Sequence, residues 1–97
     1  MKIIYNNLIP FPGYVAMMLF GVIFARKKYK PLSAVVINHE AIHAAQARDC
    51  KGYFLFYCRY LWMWIRYGYR KNPFEMEAFT YQSDLSYLEN RKPCAWQ

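Results

Sequence analysis

The residues His39-Glu40-Ala41-Ile42-His43 contain both histidines of the chain and set them four positions apart. On a helix that spacing puts the two imidazoles on one face, one turn above the other. Two ring nitrogens so placed can share one zinc ion. Glu40, directly after the first of them, is placed to reach a water at that ion. The chemistry indicated is metal-assisted hydrolysis, in which a cation acidifies water and polarises a carbonyl while a carboxylate serves as general base. The plainer alternative is a pair of core histidines hydrogen-bonded to backbone on an alanine-rich helix.

A hydrolytic zinc site takes three protein ligands and leaves a position open. The acids downstream are Asp49, Glu75, Glu77, Asp84 and Glu89. Asp49 falls on the motif helix itself, too far along to turn back to the ion. Glu75 stands in the first turn of a later helix that opens at Asn72-Pro73, and Glu77 is its rival as ligand. Glu75 also has a purely structural reading, as the reciprocal partner of Asn72 in a capping box.

The elements that must carry these groups follow from pattern and punctuation. Residues 1–9 hold a short apolar start, Ile3-Ile4-Tyr5, and Pro10-Phe11-Pro12-Gly13 marks a turn. The stretch Tyr14 to Ala25 is apolar, with Gly21 inside it. It suits two short strands or one buried helix, and Val15, Phe20, Val22, Ile23 and Phe24 favour the strands. Arg26 to Lys30 then forms a solvated loop. Ser33 caps a helix from Ala34 to about Cys50 that is closed by Gly52. A second helix, apolar with a basic stripe of Arg59, Arg66 and Arg70, covers 53–69. A third runs from the Asn72 cap through Pro73 to about Leu88. Trp96 in the basic tail packs back onto the body.

With the helices in place, the motifs resemble a known family. His-Glu-x-x-His followed on a later helix by Glu-x-x-Ala is similar to the gluzincin metallopeptidases, whose third ligand is a glutamate. Carried onto this chain, that ligand is Glu75 and the alanine is Ala78, which sets Glu75 ahead of Glu77. The short interval from His43 to Glu75 resembles the smallest members, the minigluzincin-like domains. Gln46 and the run Phe74-Glu75-x-Glu77-Ala78 resemble small bacterial metallopeptidase-like proteins. The resemblance spans residues 33–88 and implies a zincin-like fold with zinc held by His39, His43 and Glu75. It also implies catalysis by Glu40 on a peptide or protein substrate. Related enzymes steady the oxyanion with a tyrosine or histidine. No third histidine exists, so Tyr81, two turns beyond Glu75, is the expected donor. One position departs from the family. Phe79 stands where an aspartate normally supports a ligating histidine, so Asp84 or a backbone carbonyl would have to serve instead.

Composition limits the remaining readings. At 97 residues this is one small domain, with aromatics at 21% to fill its core. Surplus aromatics would be left for a binding surface or a homo-oligomer contact. Thirteen basic against six acidic residues give a net charge of +7, which attracts anionic partners. No nucleic-acid motif accompanies it, so a nucleic-acid role is not expected, while the basic aromatic segment 51–71 would suit peripheral membrane contact. Cys50, Cys58 and Cys94 lack zinc-ribbon or thioredoxin spacing and are expected as reduced thiols, two of them buried. With no signal peptide and no apolar run near the ~20 residues of a membrane span, the expected location is cytoplasmic. The expected architecture is α+β, a short N-terminal hairpin or small sheet on three helices. The expected function is a zinc metallopeptidase, and its alternative is a catalytically silent zincin-like scaffold that binds a protein or membrane surface.

Overall fold

Phe20 and Gly21 both take positive φ, 52° and 85°, the combination a two-residue hairpin turn requires. The apolar stretch accordingly folds as β2 (Ala16–Leu19) and β3 (Val22–Arg26), paired antiparallel with Met18 opposite Ile23. Tyr57 holds this turn from outside the sheet: its hydroxyl accepts from Phe20 N at 3.1 Å and donates to Met18 O at 3.2 Å. A Cβ on Gly21 would stand 3.0 Å from the Tyr53 hydroxyl, so the close approach also favours glycine there. A computed structural model describes residues 2–7 and 15–97. The turn expected at Pro10–Gly13 lies outside the described residues.

The apolar start Ile3-Ile4-Tyr5 belongs to β1 (Lys2–Asn6), which runs parallel to β3 and completes a three-stranded sheet ordered β1-β3-β2. Beyond it lie a 3-10 turn (Lys27–Tyr29), α1 (Ala34–Asp49), α2 (Tyr53–Tyr67), α3 (Pro73–Tyr81) and a short α4 (Tyr87–Asn90). The chain is therefore α+β, as its pattern indicates, with a small sheet against helices.

α1 runs through the middle. Its Ser33 cap accepts from Val36 N at 3.2 Å. Val36 and Ile37 on one side meet Ile23, Ala25 and Leu32 beneath the sheet. Ala44 and Ala47 on the other side meet Met18, Phe56, Phe74 and Trp96. Small side chains let these layers approach closely, and eight of the sixteen residues of α1 are fully buried. Phe74 has no exposed surface and lies 4.5 Å, centroid to centroid, from the Trp96 ring, so the tail does pack back. Deleting a ring so enclosed costs about 3–5 kcal/mol.

Two helices end earlier than their patterns suggest. α2 stops at Tyr67 because Gly68 takes φ 82° and donates back to Trp64 O at 2.8 Å. α3 stops at Tyr81 rather than about Leu88 because the buried Asn38 of α1 takes its terminal carbonyls. Asn38 Nδ2 shares its two hydrogens among Tyr81 O, Gln82 O and Asp84 O at 3.2, 2.9 and 3.0 Å. Asp84 then turns the chain by accepting from Ser86 N and Oγ. The cysteines are all free, but only Cys50 is fully buried, and Cys58 lies exposed on α2. Among the described residues no helix is long and apolar enough to cross a membrane.

Candidate metal centre

His39 and His43 stand a turn apart on α1 with ring centroids 4.9 Å apart. Each directs Nε2 at one oxygen of α3: Glu75 Oε1 lies 3.1 Å from His39 Nε2 and 3.2 Å from His43 Nε2. One ligand atom from each of the three residues fits within 4.8 Å of the others. Residues 36 and 32 positions apart thus meet at a single point.

What fixes the rings is on their far side. His43 Nδ1 faces Gln46 Oε1 at 2.8 Å, and His39 Nδ1 faces Gln82 Oε1 at 2.8 Å. The Gln46 amide cannot turn over, because its Nε2 donates to Phe74 O at 2.8 Å and to Glu77 Oε1 at 2.9 Å. An amide oxygen only accepts, so His43 carries its proton on Nδ1, and its other nitrogen is the one aimed at Glu75. Gln82 Oε1 faces His39 Nδ1 in the same manner. The partner behind each histidine is therefore neither Asp84 nor a backbone carbonyl but a glutamine amide. Phe79 does lie against His39, ring centroids 4.6 Å apart, and offers a ring edge there rather than a carboxylate.

Glu75 is buried, and burial alone would raise its pKa. Hydrogen bonds from His39, His43 and Tyr60 outweigh that and hold the carboxyl well below the usual carboxylate range. Tyr60 donates to its second oxygen, Oε2, at 2.5 Å. The capping-box reading gives way here, because the Asn72 amide is taken by Tyr69 O at 3.3 Å while Asn72 Oδ1 caps Phe74 N at 3.0 Å. His43 shows the complementary shift: burial lowers it, but its bond to Glu75 and the nearby carboxylates push it up to about 9. A divalent cation would compete with that proton for the same lone pair.

Glu40 points into the same space. It is 6% exposed, and its Oε2 has no hydrogen-bond partner. Burial raises its pKa, the positive potential of His43 and His39 opposing. An orphaned buried oxygen is costly unless something polar completes it. Two imidazoles, one carboxylate and this unpaired acid are a donor set that fits zinc with an adjacent water.

These groups open onto a cavity of about 530 Å³ walled by β2, the first half of α1 and the inner side of α2. Tyr57, Tyr60 and Tyr69 line it. Tyr81, the expected oxyanion donor, is not among the residues that line the cavity. Its ring stacks on Tyr87 with centroids 4.0 Å apart, since six residues after Glu75 it stands about 120° round α3 from that carboxylate. Glu77 is likewise turned away from the histidines, into hydrogen bonds with Tyr87, Arg91 and Gln46.

Sequence reasoning passed over Tyr60 and Gln82. Gln82 follows Glu75 by seven residues, two helical turns, and that spacing could have put both on one face. Tyr60 is one of several aromatics along α2 and gives no such signal. No protein-family model, curated protein or solved structure matches this chain.

Proposed function

We propose that this chain is a zinc-dependent peptidase of the gluzincin kind, built on a zincin-like fold. The observation that carries the reading is the convergence of His39, His43 and Glu75 beside the unpaired oxygen of Glu40. These three residues would hold zinc, which when bound acidifies water and polarises a carbonyl.

The chain's own groups supply the rest. Gln46 and Gln82 keep both Nδ1 atoms protonated, so that the Nε2 lone pairs face the ion. Tyr60 steadies Glu75 through Oε2 and leaves Oε1 for ligation. Glu40, whose pKa burial raises above the ordinary carboxylate value, is the base that would take a proton from the attacking water and return it to the departing amine. The phenol of Tyr60 stays protonated, because burial and the charge of Glu75 raise its pKa, and so keeps its one hydrogen on Glu75 Oε2. β2, the last strand in the described sheet order, lines the cavity and offers an extended peptide a strand to lie beside.

Three ligands among the described residues, rather than four, support a catalytic over a closed structural site. The test combines metal analysis with hydrolysis. Purified protein should hold about one zinc per chain, and a chelated sample should lose hydrolysis of an unstructured protein and regain it with zinc. Protein that takes up no zinc would end the proposal.

A further inference from the structure

α2 presents apolar side chains to solvent as well as to the core. Phe56 is its one fully buried residue, with Tyr53, Tyr57, Tyr60 and Met63 packed around the same side. At 100° per residue the opposite side carries Leu61, Phe54, Ile65, Cys58, Trp62 and Leu55 in continuous sequence. Phe54 is 76% exposed, Ile65 72% and Trp62 59%. No described element lies over them. A helix that is apolar all round normally has a covering on both sides.

Charge says what that covering is. Arg59 and Arg66 border the apolar strip along one edge, Arg70 and Lys71 follow α2, and the helix contains no acid. The same bias extends over the surface: of the six acidic residues only Asp84 and Glu89 are exposed, whereas eleven of the thirteen basic residues are. A second copy placed on this strip would bring four arginines together across a two-fold axis with no carboxylate between them. A bilayer of anionic phospholipid meets both demands. Its acyl boundary takes Phe54, Trp62 and Ile65, and its phosphates take the arginines. We propose that the outer face of α2 is a docking surface that seats this domain peripherally on anionic membranes.

This docking does not depend on the metal reading, and vesicle binding separates the two. The intact protein is sedimented with vesicles of phosphatidylcholine alone and of phosphatidylcholine with phosphatidylglycerol in equal parts. Binding should strongly favour the anionic vesicles and weaken with added salt. Neutralising Arg59→Gln and Arg66→Gln together should weaken it about thirtyfold, on the order of fivefold for each charge. Trp62→Ser with Ile65→Ser should weaken it at least about tenfold through lost apolar burial. Both pairs point outward, so circular dichroism and zinc content should match the parent. Equal or absent binding to the two vesicle types would overturn the proposal. So would a solution dimer that Trp62→Ser with Ile65→Ser dissolves while anionic vesicles leave it intact, since the covering would then be a second copy.

Discussion

Glu75 and Glu77 stand two residues apart on α3, both buried and both held below the usual carboxylate range, yet they face different surroundings. Glu77 lies in a completed network. Burial would raise its pKa, but Arg91, Tyr87 and Gln46 all donate to it, and Arg91 also grips Asp49 at 2.6 and 3.2 Å. Glu75 lies in an incomplete one. Its Oε1 is the meeting point of two imidazole nitrogens, an acid with an unpaired oxygen stands close by, and a cavity opens beside it. Burial and ionisation are common to both carboxylates, so neither property marks a site. What differs is whether the polar groups all satisfy one another or converge on a single oxygen beside an acid that has no partner. Gln46 joins the two regions, holding Glu77 with one end of its amide and His43 with the other.

Four experiments test that contrast. Glu40→Gln should lower hydrolysis by about 10²–10⁴-fold, the range for a lost general base, with zinc content unchanged. Retained turnover in that variant would remove Glu40 from the chemistry. Arg91→Met should act on the closed side, destabilising by about 3–5 kcal/mol because Asp49 and Glu77 lose the buried cation that pairs them. Denaturant unfolding measures this, and a loss below about 1 kcal/mol would mean the network is solvated. Gln82→Leu should leave the fold intact and weaken zinc binding by about 10–100-fold, the usual effect of losing a partner behind a ligating histidine. Competition with a chelating dye reads that affinity.

The smallest effect concerns pH. The folded-state pKa of Glu77 lies below its ordinary value of 4.5. Its stabilisation is therefore complete above that value and is lost as pH falls through the folded-state pKa. Thermal unfolding should show the loss below about pH 4.5, and the slope should flatten in Glu77→Gln. An equal slope in the variant would assign the acid sensitivity to other carboxylates.

Read from sequence, the chain offered His39, Glu40 and His43 through helical periodicity alone, while Glu75 was set ahead of Glu77 by the gluzincin resemblance. The hairpin around Gly21, the Ser33 cap and the α+β class were legible too: each is a local preference written in neighbouring residues. The parallel pairing of β1 with β3 was not legible, since strand partners distant in sequence leave no local mark. Nor was the end of α3 at Tyr81. An asparagine 43 residues upstream takes the helix's last carbonyl. Tyr60 and Gln82 reach the site for a like reason. A hydrogen bond is set by distance and direction in space, and only the packing of α2 and α3 against α1 brought those donors and acceptors within reach.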